Sequence, residues 1–89
     1  MHDIHVRFWA SARAAAGAAE ESVPVDGPVI LSDLVTLLTA RREDGDRLAS
    51  VLAVCSVLVG DRPVGRRDRA TVSVEPGSSV EFLPPFAGG

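Results

Sequence analysis

The residues with the plainest chemical use in this 89-residue chain stand together in FLPPFAGG, from Phe82 to Gly89. Gly88 and Gly89 carry no side chains, so a carboxylate on Gly89 can pass through a narrow channel and adopt backbone angles closed to other residues. It is ionised at neutral pH. Sterically bare, it can attack the α-phosphate of ATP where a partner enzyme supplies the nucleotide and Mg²⁺. The product, an acyl-adenylate, is open to sulfur or amine nucleophiles. Pro84 and Pro85 lack N–H donors, so they end a preceding strand and favour an extended polyproline conformation. The six residues from Pro84 to Gly89 then reach about 18–21 Å, far enough to enter another protein's active site.

Other chemistry is sparse. His2 and His5 have no cysteine or carboxylate cluster around them at metal-ligand spacing, so no metal site is expected. Gly60, Gly65 and Gly77 stand singly, so no phosphate-cradling loop is expected either. Serine, histidine and aspartate all occur, without the arrangement of a catalytic triad. The chain is therefore expected to bind no cofactor and to hold no self-contained active site.

Two features have open readings. The cluster Arg66, Arg67, Asp68, Arg69 is either a docking patch for an acidic partner or a solvated loop. Trp9 is either an interface anchor or a cover for one end of the core. The one cysteine, Cys55, sits in the apolar run AVCSVLVG, which points to a buried thiol in a reducing compartment.

Composition bounds the rest. The positive charge comes from nine arginines with no lysine, and the formal net charge is −3. That balance argues against a nucleic-acid binder. Without lysine the chain has no side chain for Schiff-base chemistry or for an isopeptide bond. The opening MHDIHVRFWA is too short and too charged for a signal peptide, and no apolar run is long enough to span a bilayer. One cytoplasmic domain, residues 1–83 with an extended tail 84–89, is expected.

The elements that must position the tail follow from periodicity. Ile4, Val6 and Phe8 alternate with His5, Arg7 and Trp9, which predicts a strand with one apolar face. SARAAAGAAEE predicts a short helix capped by Ser11 and ended by Gly17. SVPV predicts a second strand, on a sheet edge because Pro24 cannot donate to a ladder. Leu31, Leu34, Val35 and Leu38 mark the main helix, with Ser32 as N-cap, Asp33 in the first turn, Arg41 and Arg42 at the negative end, and Gly45 as terminator. Asp46 then caps a shorter helix bearing Leu48, Val51 and Leu52.

Residues 54–59 read as a strand buried on both sides, and ATVSV as another short strand. Glu75-Pro76-Gly77-Ser78 has the order of a type II turn. The last strand runs from Ser79 to Leu83, with Val80 and Phe82 on one side and Glu81 and Leu83 on the other. A mixed sheet with its helices on one face is an α+β domain, and this inventory with one main helix fits the ubiquitin-like β-grasp. Leu83, immediately before the tail, and Phe86 within it are candidates for burial in a partner, whereas Phe82 belongs to the core.

With these residues in view, the chain resembles the MoaD/ThiS sulfur-carrier family, in particular its branch of molybdopterin synthase small subunits. FWASARAAAG, with Arg13 and Gly17 matching, is similar to the family's opening motif. VLVGDRPV is similar to its strand and turn, and VEPGSSVEFLPPFAGG to its closing segment. Ala14 stands where a glutamate is usual, Pro76-Gly77-Ser78 where the turn is more acidic, and Phe86 where valine is usual.

The resemblance implies a non-catalytic sulfur-donor subunit. An E1-like adenylyltransferase, using ATP and Mg²⁺, would adenylate Gly89, with Gly88 beside it. A sulfurtransferase as sulfur source would convert it to a thiocarboxylate. The tail, through Leu83, Pro84, Pro85, Phe86 and Ala87, would then enter the molybdopterin synthase large subunit and donate sulfur to the pyranopterin precursor of the molybdenum cofactor. The alternatives are a sulfur carrier for thiamin or cysteine, or a ubiquitin-like protein modifier or interaction domain.

Overall fold

The computed structural model describes residues 2–85. In chain order they form strand β1 (His2–Phe8), helix α1 (Ala10–Ala16), strands β2 (Glu20–Val25) and β3 (Val29–Ile30), helices α2 (Leu31–Ala40) and α3 (Gly45–Val54), and strands β4 (Ser56–Val59) and β5 (Arg62–Pro63). A 3₁₀ turn at Arg69–Thr71 precedes β6 (Ser73–Val74) and β7 (Ser79–Leu83). The main sheet has the order β2-β1-β7-β4-β5, and β3 pairs with β6 in a separate ribbon.

β1 and β7 run parallel, with Val6 opposite Val80 and Phe8 opposite Phe82. β2 and β4 flank them antiparallel. β7, the last strand in sequence, is thus the middle strand of the sheet. This mixed sheet with its three helices is the ubiquitin-like β-grasp of the α+β class.

Alternation decides which face is inside. Ile4, Val6, Phe8, Val80 and Phe82 are buried and join Leu31, Leu34, Leu38, Leu48 and Leu52 from α2 and α3 in one core. Burying a large aliphatic or aromatic side chain contributes about 1.5–3 kcal/mol, so this shared face is the main stabilising element. Pro24 lies on β2, which is an edge strand, as its missing donor requires. Gly17 closes α1 in the left-handed conformation at φ 77° and donates its N–H to the Arg13 carbonyl. Gly77, at φ 86°, completes the predicted turn, and the Ser78 N–H returns to the Glu75 carbonyl at 3.1 Å.

Several local expectations are corrected. Ser11 and Ser32 lie inside their helices; the residues before them, Trp9 and Ile30, are the N-caps, and neither makes a side-chain cap. Both N-caps have extended backbone, Ile30 as the last residue of β3 and Trp9 one residue past the end of β1, and both are apolar side chains with no oxygen to accept from the first turn. Asp44, not Asp46, is the N-cap of α3, and Asp46 lies in its first turn. Gly45 opens α3 instead of ending α2, which stops at Ala40 with Arg41 as C-cap. At this position the backbone lies close against α2: a Cβ on Gly45 would lie 2.2 Å from the Thr39 carbonyl oxygen. α3 is also as long as α2, at 10 residues each.

The apolar run from Val54 divides. Val54 is the last residue of α3 and 64% exposed, and within β4 only Val57 is buried. A short apolar run does not distinguish strand from helix end, and here it contains both. ATVSV divides likewise, into the 3₁₀ turn and the two-residue β6.

Candidate functional site

β7 carries the tail out of the domain, and its neighbours hold it to its last residue. Leu83 pairs with Ser56 of β4, Phe82 pairs with Phe8 of β1, and the Trp9 N–H donates to the Phe82 carbonyl at 3.2 Å. Phe82 is fully buried and stacks on Phe8 with ring centroids 6.0 Å apart. Phe82 is therefore core, as expected. Leu83 points to the opposite face and is half-buried, and Pro84 and Pro85 follow outside any strand. Phe86, Ala87, Gly88 and Gly89 lie outside the described residues.

Beside this exit stands Trp9, at the junction of β1 and α1. Its carbonyl accepts from the Ala12 and Arg13 N–H groups, and the next residue, Ala10, turns the chain at φ 49°. That left-handed angle costs a non-glycine residue about 1–2 kcal/mol, so the surrounding hydrogen bonds must hold it. The turn brings the indole onto the open face of the sheet, where its Nε1–H donates to Glu81 Oε1 at 3.1 Å. The Arg7 guanidinium lies 4.9 Å from its ring centroid. Arg7 is itself opposite Glu20 on β2 and Glu81 on β7.

Trp9, Ala10, Leu83 and Pro84 together line an apolar cavity of about 200 Å³ at the base of the tail. Of the two readings of Trp9, this geometry separates it from the core: the ring is 41% exposed, on the face opposite Phe8. A tryptophan on the polar face of a strand was the available signal. The partners that fix its ring, at positions 7 and 81, were not readable from it.

The remaining arginines sort by contact. Arg69 donates from Nη1 to the Leu52 carbonyl at 2.8 Å and from Nη2 to the Cys55 carbonyl at 2.9 Å, closing the end of α3. Arg66 and Arg67 are exposed, and Arg67 Nε reaches only the Val64 carbonyl, at 3.4 Å. Arg42 joins three elements: it donates to the Ala16 and Leu38 carbonyls and pairs with Glu21 at 2.5 Å. Burial pushes the Glu21 carboxyl up, but the hydrogen bonds and charges of Arg42 and Arg41 outweigh it and hold the group below its ordinary value.

Cys55 is buried and donates to the Val51 carbonyl at 3.3 Å. Desolvation raises its thiol above the ordinary value, with the Arg69 charge acting the other way. It is a core residue and a poor nucleophile in the folded state. His5 contacts Glu20 at 3.2 Å on the exposed face. Among the described residues no group of three or more histidine, cysteine, aspartate or glutamate residues is placed to hold a metal ion. No helix among them is long and apolar enough to cross a membrane.

Comparison with known proteins agrees with this geometry. No curated protein sequence matches the chain. The Haloferax volcanii HVO 2177 protein, known from a solution structure, is 27% identical with a TM-score of 0.76, over 99% of this chain and 87% of that one. The small archaeal modifier protein 1 of Methanosarcina acetivorans is 18% identical with a TM-score of 0.74, over 100% and 98%. A chain in the complex of subunits 1 and 2 of the molybdopterin-converting factor of Helicobacter pylori is 21% identical with a TM-score of 0.62, over 98% and 99%. The ThiS family matches residues 6–89, from within the first strand through the tail. A β-grasp sheet whose middle strand releases a Pro-Pro segment, matched across nearly its whole length, makes this chain a member of the ThiS family.

Proposed function

We propose that the chain is a sulfur carrier that serves as the small subunit of a molybdopterin synthase. The observation that carries this reading is the placement of the tail: it leaves the middle strand of the sheet, held on both flanks, through two prolines. A fixed point of departure and a stiff first segment reduce the entropy lost when the tail enters a partner. The diproline before AGG favours the molybdopterin branch over thiamin and cysteine carriers. The likeness to a chain in the Helicobacter pylori complex supports a two-subunit arrangement.

The chemistry falls to partners. An E1-like enzyme binds ATP and Mg²⁺; a Gly89 carboxylate oxygen attacks the α-phosphorus and displaces pyrophosphate. A hydrosulfide equivalent from a sulfurtransferase then displaces AMP and leaves a thiocarboxylate. In the large subunit the thiocarboxylate sulfur attacks a carbon of the pyranopterin precursor and displaces an oxygen substituent, which leaves with the electron pair of the broken C–O bond; water then hydrolyses the acyl–sulfur bond, leaving sulfur on the precursor and a carboxylate on Gly89. Leu83, Pro84, Pro85, Phe86 and Ala87 line the route in, and Leu83 and Phe86 are its apolar anchors.

Intact mass after incubation with ATP, an activating enzyme and a sulfur source tests the first half, as exchange of one oxygen for sulfur at the C-terminus. Reconstitution with a large subunit tests the second. If the thiocarboxylate form cannot convert the precursor there, the molybdopterin assignment fails.

A second reading, a ubiquitin-like modifier, draws on the likeness to small archaeal modifier protein 1. It uses the same adenylate but ends in an amide bond to another protein. Adducts that survive reducing, denaturing gels and dominate in cell extracts would favour it over sulfur carriage.

A further inference from the structure

On the reading that an activating enzyme takes the tail, we infer that Arg7 and Arg13 hold one carboxylate side chain of that enzyme, an aspartate or a glutamate. A cavity of about 110 Å³ is lined by Arg7, Phe8, Trp9, Ala10, Arg13 and Ala19. Trp9 and Ala10 also line the apolar cavity at Leu83 and Pro84, so the two cavities adjoin. A partner that closes on Pro84 therefore meets the arginines across a single indole ring. An opening of about 10–15 Å³ already admits a water molecule, so a carboxylate with its methylene has room between them.

Charge chooses the ligand. The ion pairs among the described residues use His5, Arg7, Arg41 and Arg42, and none of them uses Arg13. Arg13 thus brings an unanswered positive charge to the cavity from α1, and Arg7 reaches it from β1. The Arg7 guanidinium lies 4.9 Å from the Trp9 ring centroid, and stacking of that kind covers its face while leaving the N–H donors at its edge. Its Nε is 3.6 Å from Glu20 Oε1, too far for a hydrogen bond, so the donors are not consumed there. Two guanidinium forks match the planar, two-oxygen geometry of a carboxylate. Glu20 and Glu81 stand opposite Arg7 on the neighbouring strands and repel any anion. They repel a phosphate dianion about twice as strongly as a carboxylate, which decides between the two.

Trp9 is the one tryptophan of the chain and lines this cavity, so its indole N–H resonance, with that of Arg13 Nε–H, reads occupation without any partner. The full chain, Arg13→Gln and Arg13→Lys are titrated with sodium acetate and, at the same ionic strength, with sodium chloride, after circular dichroism confirms that each is folded. Acetate should move both resonances along a saturable curve in the full chain. Arg13→Gln should lose the saturable shift of the Trp9 signal, and Arg13→Lys, which keeps the charge without the fork, should weaken it. Equal responses to acetate and chloride, or a Trp9 response that survives in Arg13→Gln, overturn the inference, and tighter binding of inorganic phosphate at pH 7 overturns the choice of a carboxylate. With an activating enzyme, Arg13→Gln should raise the KM for this chain about 2–5-fold at unchanged kcat. An unchanged KM while the full chain charges normally also overturns the inference. Failure of the full chain itself to charge sinks sulfur carriage instead, and the acetate titration still decides the arginine site.

Discussion

Phe8 and Phe82 face each other across the parallel β1–β7 pair, their rings 15° from parallel, at the end of the sheet from which the tail departs. Phe82 is fully buried and is separated from Pro84 by one residue. Truncating it would leave a cavity where β7 must be held firm. Phe82→Ala is expected to cost about 3–5 kcal/mol, a large part of the stability of so small a domain. Urea denaturation should show this as a lower midpoint, and a loss below 1 kcal/mol would mean that the exit is anchored elsewhere.

The parts of this fold that the sequence made legible were those governed by short-range rules. Alternation placed β1 and β7 and their buried faces, and Gly17 and Pro76-Gly77 marked turns that need a left-handed or preset backbone. What escaped depended on long-range contact. Arg42 reaches Ala16 and Glu21, 26 and 21 positions away, Arg69 reaches Leu52, 17 away, and Trp9 reaches Glu81, 72 away. No local pattern encodes such partners. The tail residues stood out by type, but the cavity beside them is assembled from the two ends of the chain.

Glu21 gives the stability a pH dependence. Burial opposes its charge, yet Arg42 and Arg41 keep its folded-state pKa depressed, so the unfolded chain takes up a proton before the folded one does. Its contribution is present above the ordinary carboxylate range and is lost as pH falls through the depressed folded value. Glu21→Gln should therefore lower stability at pH 7, with the gap to the parent narrowing as the solution is acidified below that range. Thermal melts of both proteins from pH 7 to pH 3 measure this, and a gap that widens toward acid would contradict the assignment.

Arg66 and Arg69 belong to one charged run but should respond differently. Arg69 is half-buried and satisfies two carbonyls at the end of α3, where a cation also meets the negative end of the helix dipole. Arg69→Ala is expected to cost about 1.5–3 kcal/mol. Arg66 is exposed, and Arg66→Ala should fall within about 0.5 kcal/mol of the parent. Equal losses in a denaturant titration would show that the run acts as a unit.

Gly45 reverses an ordinary expectation. Alanine replacing glycine within a helix usually gains about 1 kcal/mol. At Gly45 the new methyl would stand 2.2 Å from the Thr39 oxygen and 3.0 Å from its carbon, both backbone atoms, so α2 and α3 would have to separate. Overpacking of this kind costs about 1–3 kcal/mol, and the net change should be destabilising. A Gly45→Ala protein that melts at or above the parent temperature would show that the joint between the helices yields easily.

Deleting Gly89 separates function from fold. The described core closes at Phe82, and every strand pairing of β7 is complete by Leu83. Removal of a residue six positions beyond Leu83 should therefore leave the melting temperature and denaturant midpoint unchanged. Under the proposed function it should also abolish charging: the new terminal carboxylate, on Gly88, falls short in the activating enzyme by one residue, about 3.3–3.6 Å. At that distance a nucleophile no longer reaches the near-attack geometry of about 3–3.5 Å on which the adenylation rate depends. Intact mass should show no oxygen-for-sulfur exchange while the circular dichroism spectrum stays that of the parent. A shortened chain that charges fully would move the chemistry away from Gly89, and one that unfolds would make the tail part of the core.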